Sequence, residues 1–138
     1  MRLTIHADGG CDPNPGQGRC GIVAYNERGE VRHAISTPVG FGTNNTAEWY
    51  GLIEALKYAN GDLPMFDGEL QCTHLTIRMD SRLVVEQANG RWKIKHPNMK
   101  PLAFEAAALR QRLSDRGCQV FIEWVPREQN QQADALSR

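Results

Sequence analysis

Apolar and polar positions alternate over residues 2–8, with Leu3, Ile5 and Ala7 on one side and Thr4, His6 and Asp8 on the other, the period of a half-buried strand that Asp8 closes. The breaker-rich run Gly9-Gly10-Cys11-Asp12-Pro13-Asn14-Pro15-Gly16-Gln17-Gly18 reads as a loop. The apolar stretch 20–25, the turn at Asn26-Glu27-Arg28-Gly29 and the stretch 31–35 then read as a hairpin. Thr43, Asn44 and Asn45 offer helix-capping side chains before a helix over 47–59, in which Leu52, Ile53, Leu56 and Ala59 recur at helical spacing until Asn60-Gly61. Residues 60–72 lack periodicity and read as a loop, after which Leu75, Ile77 and Met79 alternate into Asp80 as a fourth strand. A short helix over 81–88 follows, with Val84, Val85 and Ala88 as its apolar side, and then the irregular basic run 90–97. Pro101 suits the first turn of a helix carrying Leu102, Ala106, Leu109 and Leu113 and stopped by Gly117. Val120, Ile122 and Trp124 supply a fifth strand, and a last helix starts near Asn130. The order βββαβααβα implies an α/β fold with a mixed sheet and helices packed on it.

Composition narrows this only at the margins. The chain of 138 residues, 41% hydrophobic, suits one domain over 1–138. Sixteen basic and sixteen acidic side chains cancel, so a nucleic-acid partner must be held by local patches rather than by an overall field. No run approaches the roughly 18 apolar residues of a membrane span, and the opening residues lack a signal-peptide apolar region, so a soluble, cytoplasmic protein with no membrane partner is expected. No large unpaired apolar surface is evident, which favours a monomer. Cys11, Cys20, Cys72 and Cys118 form no CxxC pair and read as reduced thiols, mostly small core fillers.

The candidate chemistry lies in acids placed where a fold does not require them. Asp8 and Asp80 end apolar strands, where ligands of open α/β sheets gather. Glu48 shares a helix face with Leu52, Ala55, Leu56 and Ala59, which puts a carboxylate on a core-facing stripe. Asp134 lies in the opening turns of the last helix. Each has a plain structural explanation: Asn45-x-x-Glu48 has capping-box spacing, Asp80 and Asp8 suit turns, and Asp134 complements a helix dipole. Taken together they suggest carboxylates converging at a sheet end, where divalent cations would have to offset their mutual repulsion. A pair of magnesium ions so held clamps the attacking and leaving oxygens of a phosphodiester.

Four segments resemble type 1 ribonuclease H in order and spacing. They are Asp8-Gly9-Gly10-Cys11-Asp12-Pro13-Asn14-Pro15-Gly16, Thr43-Asn44-Asn45-Thr46-Ala47-Glu48, Met79-Asp80-Ser81 and Asn130-Gln131-Gln132-Ala133-Asp134-Ala135-Leu136. The resemblance runs from about residue 3 to the end. It implies an RNase H-like α/β fold: a five-stranded mixed sheet in the order 3-2-1-4-5, the first three strands antiparallel, with helices on both faces. It also implies catalysis and metal binding by Asp8, Glu48, Asp80 and Asp134, with Asp8 bridging two Mg²⁺ ions for which Mn²⁺ can substitute. The implied reaction is two-metal hydrolysis of the RNA strand of an RNA/DNA hybrid, leaving 5′-phosphate and 3′-hydroxyl ends. Cys11, Asn14, Asn44 and Asn45 match minor-groove positions of the family, and Thr43 a DNA-phosphate contact. Trp92, Lys93 and Lys95 offer a cationic, partly aromatic surface for the DNA strand.

The chain departs from that pattern in three places. Many members carry a histidine in the loop before the last acid; here the loop reads Pro126-Arg127-Glu128-Gln129-Asn130, leaving Arg127 or Glu128 as the candidate substitute. The stretch between Asp80 and Pro101 is too short for the additional helix and basic protrusion of some members, so this is a short form. Arg82 stands where a glutamine is common, which changes the expected minor-groove contact. The rival readings are a catalytically weak hybrid-binding domain of the same fold, and a metal-independent interaction module in which the acids are caps and turns.

Overall fold

The computed structural model describes residues 1–63 and 72–138. Its chain runs through β1 (Arg2–Cys11), β2 (Gly16–Tyr25), β3 (Val31–Gly42), α1 (Asn44–Asn60), β4 (His74–Met79), α2 (Arg82–Ala88), α3 (Lys100–Asp115), β5 (Gln119–Trp124), a 3-10 turn at Arg127–Gln129 and α4 (Gln131–Leu136). One five-stranded sheet has the order β3-β2-β1-β4-β5. β1 to β3 are antiparallel, while β4 runs parallel to both β1 and β5. Order and directions are those the sequence motifs imply. Most of the loop expected over 60–72 lies outside the described residues.

The first strand is longer than alternation alone indicates. Asp8 does not close it: Gly9, Gly10 and Cys11 continue the ladder opposite Cys20, Arg19 and Gly18, because β2 extends equally far. The expected loop therefore shrinks to the turn between Cys11 and Gly16. Parallel pairing with β4, by contrast, reaches only His6 opposite Arg78, so Asp8 still sits where β1 and β4 part.

Glycine here serves helix packing rather than turning. A β-carbon on Gly9 would lie 2.0 Å from the carbonyl oxygen of Ala47, and one on Gly21 would lie 2.4 Å from the β-carbon of Leu136. Gly9 thus admits α1 to backbone contact on one face, and Gly21, opposite Asp8 in the ladder, admits α4 on the other. Helices cover both faces. Gly9→Ala should force α1 outward and cost about 1–3 kcal/mol of stability, read as a lower denaturant midpoint; an unchanged midpoint would contradict the close approach.

The core lies under α1. Leu3, Ile5 and Ala7 of β1 meet Leu52, Ile53, Leu56 and Ala59, all at most 1% exposed. Each large apolar side chain so buried contributes roughly 1.5–3 kcal/mol. Gly61, at φ 75°, ends α1 in the left-handed conformation, and Gly117, at φ 84°, follows α3, whose buried residues are Leu102, Ala106, Leu109 and Leu113. On α2 the buried set is Val84, Val85 and Gln87, with Ala88 only half-buried; the Gln87 amide donates to the Lys93 carbonyl at 3.2 Å. No helix occupies the stretch between α2 and α3. Cys20 and Cys118 are buried, Cys11 and Cys72 partly so, and all four are free thiols. Among the described residues no helix is long and apolar enough to cross a membrane.

Candidate active site

Three carboxylates from distant parts of the chain meet where β1 and β4 part. Asp8, Glu48 and Asp80 each present an oxygen, and these oxygens lie within 4.8 Å of one another. Extending the parallel register by two residues from His6–Arg78 sets Asp8 beside Asp80. Glu48 reaches them because α1 rests on the backbone of β1, with a β-carbon on Gly51 coming within 2.8 Å of the Asp8 carbonyl. The capping-box explanation of Glu48 is not realised. Thr43 is the N-cap, and the box is Thr43 with Thr46: the Thr46 N–H donates to the Thr43 hydroxyl at 3.3 Å and the Thr43 N–H to the Thr46 hydroxyl at 2.9 Å. The helix starts three residues earlier than its apolar spacing shows, which leaves the Glu48 carboxylate to the acidic site.

Crowding shows in the ionisation of the group. Burial and then the charge of Asp80 push Asp8 up to about 8. Burial, reinforced by the Asp80 charge and partly offset by a hydrogen bond from Ser81, pushes Glu48 up to about 7. Among the described residues no cationic side chain forms an ion pair with any of the three. An all-oxygen, all-carboxylate donor set without thiol or imidazole fits a hard divalent cation such as Mg²⁺ or Mn²⁺.

Asp134 stands beside this trio rather than in it. The guanidinium of Arg138 donates to its Oδ2 at 2.9 Å, and that of Arg127 lies 3.7 Å from its Oδ1. Although burial works in the opposite direction, Arg138, a hydrogen bond shared with Asp8 and the Arg127 charge hold its carboxyl below the usual range. Ser137 lies between the two acids, its single hydroxyl hydrogen within reach of the Asp134 carbonyl at 2.8 Å and, more weakly, of the Asp8 carboxylate at 3.4 Å.

All four acids line one cleft of about 740 Å³, together with Cys11, Asn44, Arg19, Arg127 and Arg138. Glu128 does not line it, so of the two candidates in the loop before α4 only Arg127 faces the acids. Cys11, Asn44 and Asn14 form a clasp beside the cleft: the Cys11 N–H donates to Asn44 Oδ1 at 2.8 Å and the Asn44 N–H to Asn14 Oδ1 at 3.0 Å. Thr43 and Asn45 sit exposed at the same helix start. Arg82, Trp92, Lys93 and Lys95 are exposed and lie apart from the cleft lining. Sequence reasoning passed over Arg19, Ser137 and Arg138. The last was legible, because Asp134 and Arg138 are one helical turn apart; Arg19 carried no signal short of the β2 register.

Comparisons with known proteins agree with this fold. The family model described as "Reverse transcriptase-like" matches residues 6–138. A solved N-terminal RNase H domain from Mycobacterium tuberculosis is 38% identical, with a TM-score of 0.84 over 99% of this chain and 91% of that one. A compost-derived RNase H1, solved in complex with an RNA/DNA hybrid, is 36% identical, with a TM-score of 0.84 over 98% of this chain and 93% of that one. The ribonuclease HI of Halobacterium salinarum is 33% identical over 136 residues, covering 99% of this chain and 62% of the relative. The chain therefore belongs to the ribonuclease H-like family. Its solved neighbours at 30–38% identity are RNase H domains. The chain spans 35% of the length of the bifunctional mycobacterial protein to which it is 38% identical.

Proposed function

We propose that this chain is an endonuclease that hydrolyses the RNA strand of RNA/DNA hybrids, using two divalent cations and leaving 5′-phosphate and 3′-hydroxyl ends. The observation that carries this reading is the meeting of Asp8, Glu48 and Asp80 oxygens within 4.8 Å. The choice of substrate is supported by the 36% identical RNase H1 whose structure contains such a hybrid. Asp8, Glu48 and Asp80 would hold the cations, with Asp134 as a fourth carboxylate at the rim. Magnesium there would supply the positive charge that neutralises these acids and the Lewis acidity that favours attack of water on phosphorus.

The chain's own residues bind and orient. The clasp of Cys11, Asn14 and Asn44, with Thr43 and Asn45 alongside, sets short polar groups next to the acids, as discrimination of a 2′-hydroxyl requires. Lys93 and Lys95 provide exposed charge for the DNA strand. Arg127 faces the cleft and would stabilise the charge that builds on the scissile phosphate. Its side chain is 72% exposed, so the effect should fall below the roughly 10²–10³ of a buried donor. Arg127→Ala should therefore lower kcat about tenfold, whereas Glu128→Ala should turn over like the parent; the reverse pattern would transfer the role to Glu128.

The test is a labelled RNA/DNA duplex incubated with Mg²⁺ or Mn²⁺, then with EDTA, beside RNA/RNA and DNA/DNA duplexes. Metal-dependent loss of the hybrid with new 5′-phosphates supports the nuclease. Retention of uncut hybrid in either metal would instead identify a binding domain, a reading favoured only by the arginine pairs that engage Asp134.

A further inference from the structure

Arg82 opens α2 two residues after Asp80, and its guanidinium carbon lies 5.9 Å from the ring centroid of Trp92 and 5.9 Å from that of Trp124. Trp92 belongs to the stretch after α2 and Trp124 to the last position of β5, so three segments converge on one cation. Trp124 is also tied to the acidic site, since its Nε1–H donates to the Asp80 carbonyl at 3.2 Å. Trp124 shares the strand parity of Ile122, which is buried. Trp124 is instead 45% exposed, at the end of the edge strand beside Arg82, and Trp92 is 44% exposed.

The cation at the centre forms no ion pair among the described residues, although the Glu86 charge lies near enough to act on it. Glu86, one helical turn on, would ordinarily neutralise it, but the two Glu86 oxygens accept from Arg91 at 2.9 and 2.8 Å. Indole faces attract a guanidinium while leaving its in-plane N–H donors free, and such a planar fork matches a phosphate. A side chain already ordered by stacking loses less freedom on binding.

We propose that Arg82, held by Trp92 and Trp124, is a phosphate-binding subsite for the nucleic-acid backbone next to the carboxylates. The indoles are positioning residues: they act through the guanidinium rather than by stacking on bases. This rests on the hybrid being the ligand of the adjacent cleft.

The experiment is anisotropy of a short labelled RNA/DNA hybrid in EDTA, which reads binding without turnover, over a range of NaCl concentrations. Arg82→Gln should weaken binding several-fold and reduce the slope of log K against log salt by about 1. Arg82→Lys should keep the slope while losing part of the affinity. Trp124→Leu should weaken binding in the parent and add little to Arg82→Gln, with circular dichroism verifying that each variant is folded. A parental slope in Arg82→Gln overturns the subsite. Full additivity of Trp124→Leu with Arg82→Gln overturns the positioning role. Failure of the parent protein to retain hybrid at low salt would overturn the hybrid-binding function and the subsite together, whereas retention with an unaltered slope removes the subsite alone.

Discussion

Asp8→Asn is expected to abolish hybrid cleavage while making the metal-free protein more stable. Loss of a cation-holding carboxylate removes several kcal/mol of transition-state stabilisation, about 10³-fold in rate or more. The gain in stability has a separate cause. Asp8 is 5% exposed and crowded by Asp80 and Glu48, so its ionised form is unfavourable unless a cation is bound. An amide fills the same space without charge, and near pH 8 the metal-free variant should exceed the parent by on the order of 1–3 kcal/mol. Addition of Mg²⁺ should then stabilise the parent and leave Asp8→Asn nearly unmoved. Paired measurements of kcat/KM and of denaturant midpoints with and without Mg²⁺ check both halves. A variant that is both inactive and less stable than the parent would point to a structural role for Asp8 instead.

The second large effect is a pH dependence of the metal-free fold. Asp8 titrates at about 8 and Glu48 at about 7 in the folded protein, against about 3.9 and 4.3 in an unfolded chain. Between those limits the folded state binds more protons than the unfolded state, so stability falls as pH rises. The loss should begin near pH 4 and level off once pH passes about 8. Magnesium should flatten the curve by holding both groups ionised, so its stabilising effect grows with pH. Urea midpoints across that range, with and without the ion, give the comparison. Metal-free stability that rises from pH 5 to pH 8 would mean that these carboxylates meet favourable partners rather than one another.

The element order and the position of each acid were legible because they depend on local patterns. A period of two marks β1 and β4, and a period near 3.6 marks α1, with Glu48 on the stripe of Leu52, Ala55, Leu56 and Ala59. What alternation misplaced was governed by partners distant in sequence. Glycines at 9 and 10 look like strand breakers in isolation, yet β2 carries them onward as ladder residues and α1 needs the first of them bare. The start of α1 was misjudged because Thr43 and Thr46 cap it without any apolar signal. The choice between Arg127 and Glu128 rested on the direction of a 3-10 turn, which no periodicity encodes.

Divalent-ion binding to the unaltered protein tests the account most directly. Crystals soaked in Mn²⁺ should show anomalous density coordinated jointly by Asp8, Glu48 and Asp80, and Asp80→Asn should weaken or remove it. Density confined to other acidic side chains, or none among these three at saturating Mn²⁺, would contradict a shared cation site and the nuclease built upon it.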